Sequence, residues 1–241
     1  LFTIAGIKRI YVKKELITYL SQFLSENRIQ VFEDVLKMRT RYVTIVLEDI
    51  YQAQNASAVL RTCECFGIQD IHIIENRNKF IVHRDIAMGS NKWLSINKFN
   101  RNKNNSASAI KKLKSEGYRI IATSPDPQYP FLSDLDVSSG KMAFFFGTEL
   151  SGISPTIKQN ADEFIRIPMF GFTESYNISV SVALCLQQII TRLHNSSVNW
   201  QLTPDEFTDL MLTWMRYSIK KVELIEKKFF ELRNGTIRRD A

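Results

Sequence analysis

Short apolar runs alternate with amphipathic stretches through the middle of the chain. Runs rich in β-branched and aromatic residues predict strands at 42–48, 71–75, 118–124, 142–148 and 164–169. The stretches between them predict helices that begin near Asn55, Ser106, Ser154 and Asn177. Near-continuous apolar strands separated by helices are typical of a mainly parallel sheet with helices on both faces. We therefore expect an α/β fold.

Both ends of the chain show helical periodicity instead. Residues 1–40 predict a helical extension, 41–195 the central domain and 196–241 a second helical extension. In the last of these, Thr203, Pro204 and Glu206 form a capping box ahead of an apolar stripe. Either its own domain or a second subunit covers that stripe, which consists of Phe207, Leu210, Met211, Trp214, Val222, Ile225 and Phe229. The polar stretch 97–108 predicts an exposed loop.

Charge narrows the range of partners. The 32 Lys and Arg against 25 Asp and Glu give a net charge of +7 and a pI near 9.3. This surplus favours a polyanionic partner such as nucleic acid. No apolar segment is long enough to predict a membrane span, and the opening residues are charged too early for a secretory signal. We expect a cytoplasmic protein without a membrane partner.

Several common sites are disfavoured by what the sequence lacks. The three cysteines form no C-x-x-C pair and the three histidines have no ligand spacing, so we expect no metal. The first predicted strand is followed by DIYQAQNASA, which contains no glycine. Neither G-x-G-x-x-G nor G-x-x-x-x-G-K-[ST] occurs, which argues against a nucleotide-binding oxidoreductase, a P-loop NTPase and a glycine-rich methyltransferase.

Three other blocks stand at predicted strand ends. They are NASAVLRTC (55–63), FFFGTELSG (144–152) and IPMFGFTESYNISVSVA (167–183). In this order and spacing they resemble the three motifs of the SpoU group within the SPOUT RNA methyltransferases. The segment MGSNKW (88–93) and the basic helix before the first strand are similar to the TrmH branch. The resemblance spans about residues 28 to 194.

The resemblance implies a chain topology, an oligomeric state and a reaction, none of which hydrophobic periodicity can predict. It implies a deep trefoil knot at the carboxyl end of the sheet and a homodimer whose active site is completed across the interface. It also implies transfer of a methyl group from S-adenosylmethionine to the ribose 2′-hydroxyl of a guanosine in tRNA, at D-loop position 18. One alternative is a 2′-O-methyltransferase of large-subunit rRNA, although 40 helical residues leave no room for the separate RNA-binding domain of such relatives. Another is a catalytically silent RNA-binding module, against which the intact motif residues speak.

The resemblance also assigns site residues. It implies cofactor contacts from Thr123, Ser124, Phe146, Gly147, Ile167, Pro168, Met169, Tyr176 and Ile178. It implies catalytic roles for Arg61, Asn55, Glu149, Ser175 and Asn177. Because an arginine stays protonated, we expect Arg61 to hold a phosphate and stabilise developing alkoxide, while phosphate or water takes the proton.

Structural alternatives exist for most of these residues. Asn55, Ser175 and Asn177 are also suited to helix capping, and Gly147 to a turn with positive φ. Ile167 and Met169 suit a core, and Glu149 a surface ion pair. For RNA docking we expect Arg28, Arg39, Arg41, Lys92 and Arg166, each of which could instead belong to a solvated surface.

Overall fold

The computed structural model describes residues 4–81, 89–148 and 151–237. In chain order the helices are α1 (Ile4–Ser21), α2 (Glu26–Lys37), α3 (Ala53–Cys65), α4 (Asn105–Ser115), α5 (Pro155–Asn160), α6 (Ile178–His194), α7 (Pro204–Ser218) and α8 (Val222–Ile237). The strands are β1 (Val43–Glu48), β2 (Asp70–Ile74), β3 (Ser95–Phe99), β4 (Arg119–Thr123), β5 (Met142–Phe146) and β6 (Glu163–Ile165). The chain divides into two compact units, Leu1–Arg39 with Gln201–Ala241, and Thr40–Trp200.

The second unit is built on a single parallel sheet. Its described strands lie in the order β3-β2-β1-β5-β4-β6, and every neighbouring pair is parallel. All residues of β1 and β5 are buried, as expected for central strands with helices on both faces. The predicted α/β class is therefore confirmed.

Alternating residues of the central strands supply two cores. Ile45 and Phe144 point to the face covered by α3 and α6, whereas Val46 and Phe145 point to the face covered by α4 and α5. This follows from the two-residue period of a strand, which sends successive side chains to opposite faces. The helices are thereby fixed on both sides of the sheet.

The prediction of an exposed loop at 97–108 is wrong for most of that stretch. Residues up to Phe99 belong to β3, which pairs with β2 at the edge of the sheet, and α4 begins at Asn105. Because β3 has only one neighbour, it tolerates polar residues such as Asn97 and Lys98, which removes the apolar signal of a buried strand. Asn104 caps α4 by accepting from the Ala107 amide at 3.0 Å.

The first unit contains the two helical extensions. The predicted capping box is confirmed, since Thr203 accepts from the Glu206 amide and Glu206 accepts from the Thr203 amide. The apolar stripe packs within its own unit. The rings of Trp214 and Phe32 lie 5.6 Å apart, and those of Phe229 and Tyr19 lie 5.3 Å apart. Among the helices described, none has the length and apolar composition of a membrane span.

One edge of the sheet collects the ends that carry the predicted site. β1, β4, β5 and β6 end at Glu48, Thr123, Phe146 and Ile165, and parallel strands end at the same edge. In the strand order β1 lies next to β5, with β2 and β3 on one side of this pair and β4 and β6 on the other. The connections that follow β1 and β5 therefore lead to opposite sides of the sheet. Ligands of open parallel sheets bind outside such an edge, where neighbouring connections leave a crevice.

Candidate active site

An apolar compartment lies beyond the ends of β4 and β6. It encloses about 80 Å³ and is lined by Thr123, Ser124, Pro125, Ile165, Ile167, Met169, Ser175, Tyr176 and Ser181. Ser124 donates its amide to the Ile165 carbonyl at 3.0 Å, and the Thr123 hydroxyl donates to the Phe145 carbonyl at 2.9 Å. These bonds fix the strand ends that form the floor. The structure thus brings together predicted cofactor residues that are distant in sequence.

A larger cavity of about 630 Å³ extends from this compartment. It adds Phe146, Gly147 and Ile178, as predicted, together with Asn55 and Asn177. Its volume lies within the range of small-molecule sites. Pro168 lines neither of these two cavities; its carbonyl accepts from the Tyr176 hydroxyl at 3.3 Å, which ties the two ends of the 168–176 loop together.

Gly147 is required for a close backbone approach. The positive-φ glycines of the described chain do not include Gly147, so its interpretation as a turn glycine is wrong. A Cβ atom at this position would lie 2.0 Å from the Gly152 carbonyl oxygen and 2.3 Å from the Ile153 nitrogen. Thr148 and Gly152 exchange two backbone hydrogen bonds of 3.0 Å, which hold that segment against β5. Glycine is therefore the residue that lets the backbone of Gly152 and Ile153 lie this close to the end of β5.

Asn55 and Asn177 join the first and third motifs. The Asn177 amide donates to the Asn55 side-chain oxygen at 3.0 Å, and the Asn55 amide donates to Gln52 at 3.1 Å. Asn55 is not the helix cap, because α3 begins at Ala53 with Gln52 at the N-cap. Asn177 does cap α6, accepting from the Ser179 amide at 2.9 Å. The Asn177 side chain therefore both caps α6 and holds the side chain of Asn55, which lines the larger cavity.

Arg61 lies apart from these residues. It is exposed on α3, lines neither cavity, and makes no hydrogen bond or ion pair to a described residue. Asn55, on the same helix, is only 8 % exposed and faces the cavity. Glu149 lies outside the described residues. Within one chain, the cavity therefore lacks the predicted arginine.

Three of the five residues expected to dock RNA are used within the protein. Arg39 is 1 % exposed, with its guanidinium 5.4 Å from the centre of the Trp214 ring. Arg41 pairs with Asp70 at 2.9 Å. Arg166 donates to the Tyr129 carbonyl at 2.8 Å and stacks on Phe131. Arg28 and Lys92 are exposed and Arg41 and Arg166 are partly exposed, so Arg39 is the one of the five that the structure buries.

Sequence reasoning missed the charged residues of the larger cavity. Among its described lining residues, Lys158 and Glu174 are the charged ones. Glu174 directly precedes the motif residue Ser175, which was an available signal. Lys158 lies on α5, outside every motif block, and its proximity could be recognised only after α5 was placed beside the end of β5.

The two described histidines, His72 and His194, contribute no site, and His83 lies outside the described residues. Burial lowers the pKa of His72 to about 4, with a smaller effect from Lys112, so this imidazole is neutral at physiological pH. His194 stacks on Trp200 with ring centres 4.2 Å apart. Among the described residues no group of three or more His, Cys, Asp or Glu could hold a metal ion.

Comparison with known proteins agrees with this geometry. The model of the SpoU rRNA Methylase family matches residues 42–187. The chain belongs to the SpoU methylase family. All the described residues that line the two cavities fall within the SpoU match, whereas the first structural unit lies outside it.

Individual members of the SpoU family extend the match. A tRNA (guanosine(18)-2'-O)-methyltransferase of Borreliella burgdorferi is 44% identical over 207 residues, which are 86% of this chain and 93% of that protein. The crystal structure of the Aquifex aeolicus TrmH/SpoU tRNA modifying enzyme aligns with a TM-score of 0.71 at 26% identity, covering 81% of this chain and 98% of that chain. An AdoMet-bound rRNA methyltransferase of Sinorhizobium meliloti shares the fold, with a TM-score of 0.57, 19% identity, and coverage of 69% and 61%.

Proposed function

We propose that this protein transfers a methyl group from S-adenosylmethionine to the ribose 2′-hydroxyl of guanosine 18 in the D-loop of tRNA. The observation that carries the proposal is the joining of the three motif regions around one cavity at the carboxyl edge of the sheet. The tRNA substrate and the position are those named for the Borreliella burgdorferi relative, with which most of the chain aligns. The enzyme is expected in the cytoplasm, where its substrate is found.

The cavity suits the methyl donor. When bound, S-adenosylmethionine supplies an activated methyl group on a cationic sulfonium. Ile167, Met169 and Tyr176 offer an apolar surface to an adenine ring, and the backbone near Ser124 and Gly147 offers polar groups at its edge. Glu174 and Lys158 give the larger cavity one charge of each sign, which suits a donor that carries both an ammonium and a carboxylate group. The residues present therefore fit the donor.

The acceptor hydroxyl needs alignment and help with its proton. Arg61 stays protonated, so it cannot be the base. Its guanidinium suits bidentate contact with a phosphate beside the target ribose, where it also stabilises negative charge that develops on the 2′-oxygen. The proton then leaves to the phosphate or to water. Ser175 lines both cavities. We assign Ser175 to orienting the ribose and Glu149, from the second motif, to substrate or partner-subunit contact.

Substitution of Asn177 separates its two roles. Asn177→Ser keeps a good N-cap for α6 but is too short to reach Asn55, whereas Asn177→Ala loses both interactions. We expect Ala to lower the free energy of unfolding by about 1 kcal/mol and Ser to leave it nearly unchanged. Both variants should lose methylation by roughly tenfold to a hundredfold, because Asn55 is no longer positioned. Urea denaturation and methyl-transfer rates measure the two effects; a Ser variant with the wild-type rate would show that capping is the whole role.

A homodimer would bring Arg61 to a cavity. Large apolar side chains are exposed on and before α6, with Val180 44 %, Leu184 39 % and Phe172 108 % exposed. Val180 and Leu184 are four residues apart and lie on one face of the helix, and exposed apolar side chains grouped in this way are typical of a subunit interface. We propose that two copies associate through it and that Arg61 of the partner subunit completes each active site.

Charge on this surface should prevent association. Leu184→Glu is expected to convert a dimer into a monomer, since two like charges would be buried at a two-fold interface. Methylation should fall with it. Sedimentation gives the oligomeric state. Leu232→Glu is the matched control, because Leu232 is 56 % exposed on α8, in the other unit. Dimers that persist in the Leu184 variant would contradict this interface.

The remaining parts of the chain have supporting roles in the proposal. We assign RNA binding to the amino-terminal extension 1–40, where Arg28 is exposed, and to Lys92 beside the sheet. We assign to the carboxyl-terminal extension 196–241 the stabilisation of the first structural unit, through the aromatic contacts of α7 and α8 with the amino-terminal helices.

We also propose that the carboxyl-terminal segment of the sheet domain is knotted. Arg166 exchanges backbone hydrogen bonds of 2.9 Å with Pro130 and Leu132, in the connection between β4 and β5. Farther along, Arg192 of α6 donates to the carbonyls of Leu132 and Leu135 in the same connection. The segment is therefore hydrogen-bonded to this connection at both ends, which supports the proposal of a threaded path. Tracing the chain in a crystal structure tests it, and an unthreaded path would refute it.

The proposed activity is tested with labelled S-adenosylmethionine and transcribed tRNA. We expect label on guanosine 18, and none on a tRNA with 2′-deoxyguanosine at that position, which lacks the acceptor oxygen. Label found instead in large-subunit rRNA would favour the rRNA alternative. RNA binding without any methyl transfer would favour a silent module.

A further inference from the structure

A further cavity, separate from the two that form the candidate active site, opens at the same edge of the sheet. It measures about 590 Å³ and shares the residues Thr148, Ser151, Gly152 and Ile153 with the larger active-site cavity. Its other walls come from the segments that follow β1, β2 and β3, and from the start of α5. We call it the lateral groove and define it by Arg77, Lys103, Asn104, Ser154 and Thr156. A linear polymer that lies in the lateral groove and in the larger active-site cavity therefore has to cross only the residues that the two share.

The lateral groove presents two cations without acidic partners. Arg77 and Lys103 are exposed, and neither forms an ion pair with a described residue. Lys98 on β3 differs in this respect, because it pairs with Glu75 at 3.3 Å. The charges of Arg77 and Lys103 therefore remain available for an external anion.

The carboxylates of the groove are directed into the protein. Glu48 is 2 % exposed and accepts from the Ser154 amide at 2.9 Å and the Ser154 hydroxyl at 2.7 Å, and also from the Ser106 hydroxyl. Asp49 is 7 % exposed and accepts from the backbone amides of Asn76 at 2.7 Å and Arg77 at 2.8 Å. These bonds fix the floor of the groove. Neither Glu48 nor Asp49 forms an ion pair with Arg77 or Lys103 among the described residues.

Polar contacts continue from the groove toward the active site. Asn104 donates to Thr156 of α5 at 3.5 Å, and two residues farther along the same helix Lys158 lines the active-site cavity. Lys158 also forms no ion pair with a described residue. Cations thus occur in both cavities, on either side of their shared wall.

We propose that the lateral groove binds backbone phosphates of the RNA strand adjacent to the target nucleotide. This inference rests on the proposed function, which places the target ribose in the active-site cavity. Arg77 provides a fork suited to bidentate phosphate contact, and Lys103 provides a compact charge. Binding here depends on backbone charge and not on base identity, so it positions the strand without reading its sequence.

The test removes both charges with little change of size. In Arg77→Gln/Lys103→Gln the backbone amide of residue 77 still bonds to Asp49, so the groove keeps its shape. Affinity for a tRNA transcript, measured over a range of salt concentrations, is expected to weaken by roughly tenfold or more at low salt. The slope of log affinity against log salt should become shallower by about 1.4 to 1.8, the value for two lost phosphate contacts. Affinity for S-adenosylmethionine should not change.

The matched control removes the same charge from the opposite edge. Lys114 and Lys141 lie near the amino ends of β6 and β5, and Lys114→Gln/Lys141→Gln should leave the slope nearly unchanged. A groove variant with the wild-type slope, or a control with an equal loss, would overturn the proposal. The readout is binding, so it is independent of catalysis. Wild-type protein that binds tRNA but never methylates it would overturn the proposed function and not the groove.

Discussion

Replacing Arg61 with alanine is expected to lower methylation of tRNA by roughly a hundredfold to a thousandfold, the usual effect of removing one group that stabilises developing negative charge. Affinity for S-adenosylmethionine should stay at the wild-type value, because Arg61 lines neither cavity of its own chain. The fold should tolerate the change, since the side chain is exposed and makes no polar contact with a described residue. Methyl-transfer rates and donor titration measure the two quantities.

Lysine at this position should restore little activity. Lys carries the charge of Arg but lacks its planar fork, so bidentate phosphate contact is lost. Methylation by Arg61→Ala at the wild-type rate would show that the catalytic assignment is wrong.

Mixed dimers decide which subunit supplies the arginine. Arg61→Ala and Asn177→Ala chains, each impaired alone, should show more activity when co-expressed than either variant by itself. In such a mixed dimer one active site combines an intact cavity with Arg61 of the partner subunit. If Arg61 instead acts within its own chain, every site contains a lesion and the mixture stays impaired.

Replacing Gly147 with alanine is expected to abolish donor binding. The added Cβ would lie 2.0 Å from the Gly152 carbonyl oxygen and 2.3 Å from the Ile153 nitrogen. Both are backbone atoms, which cannot rotate away as a side chain can. Thr148 and Gly152 must then move away from the end of β5, which deforms the larger active-site cavity and the lateral groove that they line. We expect a loss of about 1–3 kcal/mol in the free energy of unfolding, as for other overpacked sites. Urea denaturation and donor titration measure the two effects.

Gly171 offers a matched control in the third motif. A Cβ built on Gly171 meets no atom within 4 Å, and its φ is not positive. Gly171→Ala should therefore keep wild-type stability and donor affinity. Tight donor binding by Gly147→Ala would mean that the wall beside β5 is not part of the donor site.

Apolar patterning predicted the central part of the fold well. The run VTIVLE of β1 is continuous because both faces of that strand are buried, and such runs stand out from their surroundings. The edge strand β3 was missed because an edge position tolerates Asn97 and Lys98. Strand order also lay beyond the pattern, since pairing of β1 with β5 joins segments about 100 residues apart.

The site was predicted less evenly. Motif residues such as Ser124, Ile167 and Tyr176 converge as expected, because parallel strands end at one edge. The reason for Gly147 could not be read from the sequence, since it depends on the path of Gly152. Basic residues were the least predictable. Arg39 and Arg166 have the same formal charge as Arg77, yet Arg39 is buried beside Trp214 and Arg166 is only partly exposed, stacked on Phe131.

A crystal structure of the protein with S-adenosylhomocysteine, the demethylated form of the donor, would locate the donor site. We expect the ligand to lie beyond the ends of β4, β5 and β6, with its adenine against Ile167 and Tyr176 and its sulfur on the side of Gly147. A ligand bound elsewhere, with this cavity empty, would show that the cavity is not the donor site.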